Sequence, residues 1–166
     1  VRFSVRRETP SDIAAIRTVN EAAFGGDAEA ALVDGLRVDG DLVLSLVTEG
    51  DGRIVGHCGF SRLTIGPNGQ SAKGVALAPV AVLPDLQRRG LGQAMIRQGI
   101  AQLRADGEGL ILVLGDPDYY FRFGFRSSAA AAFRTPYDGP HLQALSLRGD
   151  APEAGEVRYP RAFAAL

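Results

Sequence analysis

The segment Val80-Ala81-Val82-Leu83-Pro84-Asp85-Leu86-Gln87-Arg88-Arg89-Gly90-Leu91-Gly92-Gln93-Ala94 concentrates residue types suited to holding an anion. An apolar run stops at Pro84, a short loop carries Gln87, Arg88 and Arg89, and Gly90 and Gly92 open a stretch with helical spacing. The first N–H groups of a helix lack intrahelical acceptors and carry partial positive charge, so they attract anions. Glycine there lets the backbone approach a phosphate without an intervening Cβ, and guanidinium groups add charge-assisted contacts. Two common nucleotide patterns are absent. No GxxxxGK[ST] loop occurs, and the third glycine of a dinucleotide fingerprint is replaced by Met95. These residues point to a phosphate-bearing ligand without saying which one.

Other reactive residue types give thinner signals. Cys58 is the only cysteine, so no intrachain disulfide forms; it reads as a small core residue with no base beside it. His57 and Cys58 have no further histidine near them in sequence, so no metal site is expected. His141 follows Gly139-Pro140 at the start of a strand and reads as structural. Glu21 and Glu29 fall on predicted helices and read as solvated faces.

The elements that must position the anion segment follow from periodicity. Phe3 to Arg7 alternates as an opening strand. Thr9-Pro10-Ser11-Asp12 is a helix start, with Thr9 as N-cap and Pro10 in the first helical position. That helix runs to about Phe24 and stops at Gly25-Gly26; a second, capped by Asp27, ends near Gly40. Leu42 to Thr48, Arg53 to Ile65 and Lys73 to Leu83 read as three strands joined by turns at Gly50-Asp51-Gly52 and Gly66-Pro67-Asn68-Gly69. Gly90 to Ala105 is a long helix, Leu110 to Leu114 a short buried strand, and Asp116 to Phe121 one or two helical turns. Phe123-Gly124-Phe125 opens a further strand, Leu142 to Leu147 is the last one, and the tail from Arg148 is coil anchored by Tyr159 or Phe163. The expected fold class is α/β (α+β): a mixed, mostly antiparallel central sheet with helices on both faces. At 166 residues one domain spanning 1–166 is expected, since a domain takes roughly 100–200 residues.

Gln87-Arg88-Arg89-Gly90-Leu91-Gly92 resembles the [RQ]-x-x-G-x-[GA] acetyl-CoA motif of the GCN5-related N-acetyltransferases, the GNAT superfamily. It follows a buried strand and precedes a long helix, as in that family. Tyr120-Phe121-Arg122-Phe123-Gly124-Phe125 matches the family's late Y-x-x-x-G-F signature. Asp27-Ala28-Glu29-Ala30, Leu77-Ala78-Pro79-Val80-Ala81-Val82 and Gly115-Asp116-Pro117-Asp118-Tyr119-Tyr120 look like segments of the bacterial YhbS-like acetyltransferases, so the resemblance covers nearly the whole chain. It implies a splayed fourth and fifth strand pair that holds the pantetheine arm of acetyl-CoA on the backbone of Ala81, Val82 and Leu83. The Val82 N–H would polarise the thioester carbonyl. Gln87, Arg88, Arg89, Gly90, Leu91, Gly92 and Gln93 would hold the pyrophosphate, and Tyr120 would protonate or hydrogen-bond the leaving thiolate. Tyr119 is assigned to packing. Many relatives carry a glutamate on the fourth strand as general base; this strand has no carboxylate, which leaves a water relay, with His57 as a further candidate.

The resemblance implies transfer of an acetyl group from acetyl-CoA to an amine by direct attack in a ternary complex. Alternatives are another acyl donor, a hydroxyl acceptor, or a non-catalytic acyl-CoA-binding sensor. Eighteen basic against nineteen acidic residues give a net charge of −1, which argues against a nucleic acid or anionic membrane partner. No apolar run approaches the ~20 residues of a membrane span, and Val1 to Pro10 shows no apolar signal segment. A cytoplasmic enzyme acting on a small-molecule or peptide amine is expected. Homodimers are common in the family, and no interface is legible.

Overall fold

Apolar runs buried on both faces make the middle of the chain the core of a sheet. The computed structural model describes residues 2–66 and 72–166, so part of the expected turn at Gly66-Pro67-Asn68-Gly69 lies outside the described residues. The strands are β1 (Phe3–Arg7), β2 (Leu42–Gly50), β3 (Arg53–Gly66), β4 (Ala72–Val82), β5 (Leu110–Leu114), β6 (Phe133–Arg134), β7 (Leu142–Ser146) and β8 (Gly155–Arg158). They form one sheet with the main path β1-β2-β3-β4-β5-β7, while β8 pairs with β3 and β6. Only β4–β5 and β6–β8 are parallel. The fold class is therefore the one expected.

The helices are α1 (Ile13–Phe24), α2 (Ala28–Val38), α3 (Leu91–Ala105), α4 (Pro117–Tyr120) and α5 (Ser127–Ala130). Successive strand residues point to opposite faces, and the core divides accordingly. On one face Met95, Ile96, Ile100 and Leu103 of α3 pack on Leu46, Phe60, Val75, Leu77, Ile111 and Val113. On the other, Leu32 and Leu36 of α2 pack on Leu63, Ile65, Ala76, Leu110 and Leu112, and Ile16 of α1 meets Val33 and Val47. Full burial of each such side chain contributes about 1.5–3 kcal/mol, which is what holds both helical layers on the sheet.

The feature that makes a site is a failure of pairing. β4 meets β5 only through Val75, Ala76 and Leu77 against Ile111, Leu112 and Val113. The register between β3 and β4 slips where Cys58 pairs with Val80 and Phe60 with Leu77, so Ala78 and Pro79 together oppose Gly59. Such a bulge bends the strand, and Pro79 has no N–H for a ladder bond. The stretch Ala78 to Val82 thus leaves β5, and a gap opens between them.

Two expectations need correction. Phe123-Gly124-Phe125 does not open a strand: Phe121–Phe123 is a 3-10 turn, Gly124 takes φ 100°, and only Arg126 bridges to Ala144. A left-handed residue in that position turns the chain instead of extending it. The tail is not all coil either, because β8 pairs Glu156, Val157 and Arg158 with Gly66, Ile65 and Thr64. With only Val157 buried, its alternation is too short to read from sequence. Phe163 is the buried anchor of the C-terminus, and Tyr159 packs edge-on against it.

Candidate functional site

The gap beside β4 widens into a cleft of about 360 Å³ on the α3 face. Val80 and Val82 form its strand wall, Leu86, Gln87 and Arg88 its loop, Gly90, Leu91, Gly92 and Gln93 the start of α3, and Tyr119 and Tyr120 the opposite wall. The Leu83 N–H donates to the Val55 carbonyl at 3.0 Å. Because backbone groups alternate sides along a strand, the N–H and carbonyl of Val82 turn away from β3 and into the gap. Gln87 Nε2 donates to that carbonyl at 3.0 Å, which ties the loop to the strand end and leaves the Val82 N–H available.

Most of the residues expected to bind the ligand come together here. Ala81 is the exception on the strand: it pairs with His57, and with the Leu83 N–H bonded to Val55 the alternation turns the Ala81 N–H and carbonyl toward β3, away from the gap. Leu83 borders a separate groove beside Val19 of α1, and Arg89 is exposed outside the cleft lining. Val80, Leu86 and Tyr119 line the cleft without having been singled out as ligand contacts. Val80 was legible in principle, since it lies two residues before Val82 on the same strand face.

The N-terminus of α3 is prepared for an anion. Gly90 is its N-cap at φ 82°, and the first bond of the helix runs from Ala94 N–H to the Gly90 carbonyl at 3.1 Å. The N–H groups of Leu91, Gly92 and Gln93 therefore have no acceptor within the helix. Arg88 also takes a left-handed conformation, φ 66°. Non-glycine residues adopt it at a cost and cluster at ligand-binding turns.

Tyr119 and Tyr120 stand edge-to-face, 5.0 Å between centroids. Asp116 caps this short helix by accepting from the Asp118 N–H at 2.9 Å. The Tyr120 ring lies so close to the end of β5 that a Cβ on Gly115 would be 2.5 Å from it, which only glycine permits. Phe125 holds the ring from another side at 5.8 Å. Burial pushes the Tyr120 phenol above its ordinary value, so it is a proton donor at neutral pH. The Tyr119 hydroxyl reaches across the cleft to within 3.4 Å of where a Cβ on Gly92 would stand.

The remaining candidates lie elsewhere. His57 is fully buried on the α1 face. Asn20 Nδ2, which also donates to the Ile16 carbonyl at 3.0 Å, donates to His57 Nδ1 at 3.1 Å. The other ring nitrogen then carries the hydrogen and donates to Ser45 Oγ at 2.9 Å. Burial lowers the imidazole to about 4, so it is neutral, with both nitrogens occupied. Behind Ser45, Arg37 grips Glu8 through two bonds of 2.9 and 3.0 Å. Burial opposes the Glu8 charge, but the bonds from Arg37 and Ser45 outweigh it and hold its carboxyl below the usual range. Cys58 is buried in the α3-side core, where burial pushes its thiol up. Glu21 is exposed and pairs with Arg17 at 3.5 Å, and exposed His141 lies 3.3 Å from the Gly115 carbonyl through Nδ1. Among the described residues no group of three or more His, Cys, Asp and Glu side chains is placed to hold a metal ion. No helix among them is long and apolar enough to cross a membrane.

Comparison with known proteins meets this geometry at several levels. Residues 4–127 match the acetyltransferase (GNAT) domain. The chain is 35% identical over 164 residues to the uncharacterized N-acetyltransferase YhbS of Escherichia coli (strain K12), covering 96% of this chain and 97% of that protein. The crystal structure of E. coli YhbS in complex with CoA superposes with a TM-score of 0.89 at 32% identity, over 99% of this chain and 93% of that one. A GNAT family acetyltransferase from Brucella melitensis, solved in complex with acetyl-CoA, gives a TM-score of 0.83 at 40% identity over 98% of each chain. With the splayed strands, the glycine-opened helix and the paired tyrosines in one cleft, these matches establish that the chain belongs to the GNAT acetyltransferase family.

Proposed function

We propose that this chain transfers the acetyl group of acetyl-CoA to an amine by direct attack within a ternary complex, as one acetyltransferase domain. The observation that carries the reading is the convergence on one cleft of the Val82 N–H, the unpaired N–H groups at the start of α3 and the Tyr120 phenol. The cleft fits the ligand chemically. A diphosphate would lie on the N–H groups of Leu91, Gly92 and Gln93, with Gln87 and Arg88 beside it. The pantetheine arm would run along Val80 and Val82 in the gap left by β5.

The chemistry then needs little more from the protein. The amine nitrogen attacks the thioester carbonyl carbon, and the Val82 N–H donates to the oxygen as it gains charge. The carbon–sulfur bond breaks, and the Tyr120 hydroxyl gives its proton or a hydrogen bond to the departing sulfur. The proton lost by the amine passes to water, because neither a carboxylate nor a histidine lines the cleft. A small-molecule or peptide amine, a cytoplasmic setting, no nucleic acid partner and a homodimer complete the proposal.

The test is thiol release from acetyl-CoA against a panel of amines, with wild type and Tyr120→Phe compared. General acid assistance is worth roughly 10²–10⁴-fold, so the variant should lose at least about a hundredfold in kcat while CoA affinity stays within twofold. An unchanged kcat removes the assigned role. The lack of a base in the cleft favours a second reading, a non-catalytic acyl-CoA sensor. Tight CoA binding with no turnover on any amine, hydroxyl acceptor or longer acyl donor would establish that reading instead.

A further inference from the structure

We propose that Arg122, behind the tyrosine wall of the cleft, and Arg97, further along α3 from the glycine loop, form a second anion site, and that this site takes the ribose 3′-phosphate of CoA. The inference rests on the CoA reading above and adds a part of the ligand that the glycine loop does not account for.

Arg122 is set in place before any ligand arrives. Its guanidinium lies 4.7 Å from the centroid of the Tyr119 ring, and its Nε donates to the Tyr119 carbonyl at 2.8 Å. Stacking and one backbone bond fix the plane of the head group and leave its terminal nitrogens for another acceptor. Arg97 lies on α3 one helical turn beyond Gln93, 5.0 Å over the Phe123 ring, and Phe123 is itself edge-on to Tyr119 at 5.5 Å. Both guanidiniums therefore flank the tyrosine whose hydroxyl faces Gly92. Burial raises the Tyr119 phenol, and the charges of Arg122 and Arg97 pull it back down, as two cations near its oxygen must.

Neither arginine has an anionic partner. Arg6, Arg17, Arg37, Arg62 and Arg161 each pair with a carboxylate, whereas Arg97 and Arg122 form no ion pair among the described residues. The acids nearest in sequence are engaged elsewhere or unpaired with them: Asp106, nearest Arg97, pairs with Arg7, and Asp116, near Arg122, caps the Asp118 N–H. Two exposed, unneutralised cations thus stack on Phe123 and Tyr119, behind the tyrosine that faces the anion site at the start of α3. One ligand with two anionic groups separated by a sugar matches that arrangement. CoA carries its diphosphate and its 3′-phosphate in this way.

The test is calorimetric titration of the whole chain with CoA and with dephospho-CoA, which lacks only the 3′-phosphate. Charge-assisted bonds of this kind are worth roughly tenfold to a hundredfold in affinity. Wild type should therefore bind CoA at least about tenfold more tightly than dephospho-CoA. Arg122→Gln should weaken CoA about tenfold and leave dephospho-CoA within twofold, so that the preference collapses. Arg97→Gln should do the same to a smaller degree. Arg126→Gln, whose guanidinium stacks on Phe121 at 3.8 Å and donates to the Phe121 and Phe125 carbonyls instead of flanking Tyr119, should leave the ratio unchanged. Equal wild-type affinities, equal weakening of both ligands by Arg122→Gln, or the same collapse in Arg126→Gln each overturns the assignment. Wild type that binds neither ligand removes the CoA reading with it, while wild type that binds both equally removes this site alone.

Discussion

The two faces of β4 carry polar chemistry under opposite rules. On the α3 face the donors are left open: the Val82 N–H, the first N–H groups of α3 and the Arg88 guanidinium border a cleft. On the α1 face, beside Ala81, the side chains Asn20, His57 and Ser45 form a closed chain backed by Glu8 and Arg37. By residue type alone the closed face holds the better catalyst, a histidine bonded to a serine with a glutamate close by. Yet His57 is fully buried, neutral and saturated with hydrogen bonds, whereas the open face offers backbone donors and phenols. A donor already paired stabilises the fold; one left unpaired at a cleft is available to a ligand.

This contrast predicts where substitutions and pH act. The largest effect belongs to the closed face. In an unfolded chain the imidazole of His57 titrates near its model value of 6.5, and in the fold near 4. Between those values the unfolded state binds a proton that the folded state refuses. Stability should therefore fall as pH drops from 6.5 toward 4, by about 3 kcal/mol in total, and the His57 contribution should be flat above that window. Urea unfolding of wild type and His57→Gln at pH 7.5 and 4.5 measures it. The same slope in the variant would break the picture of a closed, neutral histidine.

Next comes Gly90→Val on the open face. A β-branched residue at φ 82° is strained by about 1–2 kcal/mol, and the loop should leave its anion-binding shape. CoA affinity should drop at least tenfold, while the melting temperature changes by only a few degrees. Unchanged affinity would dissociate the loop from the ligand. The smallest effect is expected for Tyr119→Phe, which removes one hydroxyl facing Gly92 and keeps the ring on which Arg122 stacks. One lost hydrogen bond is worth about 1 kcal/mol, so CoA should bind about fivefold more weakly with kcat unaltered. A large fall in kcat would move the proton-donor role from Tyr120 to Tyr119.

How far the site was legible depended on how local each part is. The anion loop runs through consecutive residues, and its glycines, arginines and following helical period say what the backbone does there. Tyr119 was assigned to packing because a helix turns neighbouring residues about 100° apart. Both rings nonetheless border the cleft, edge-to-face at 5.0 Å, because two long neighbouring phenols can reach one opening from directions about 100° apart. Arg122 gave no signal, since its role depends on the Tyr119 ring beneath it and on the absence of an acidic partner. Phe123-Gly124-Phe125 reads as extended from its apolar alternation, whereas Gly124 at φ 100° turns the chain.

The sequence by itself determined the order of the elements, the apolar faces of strands and helices, and the glycine-opened helix that follows β4. Those properties follow from residues a few positions apart, where side-chain period and backbone freedom act directly. Tertiary structure decided what each candidate could do. A slip of register at Gly59 opened the gap, the α1 layer closed over His57, and the packing of α4 against the end of β5 turned two tyrosines toward the ligand. Such outcomes depend on which distant segments meet and in what register, and no local pattern carries that information.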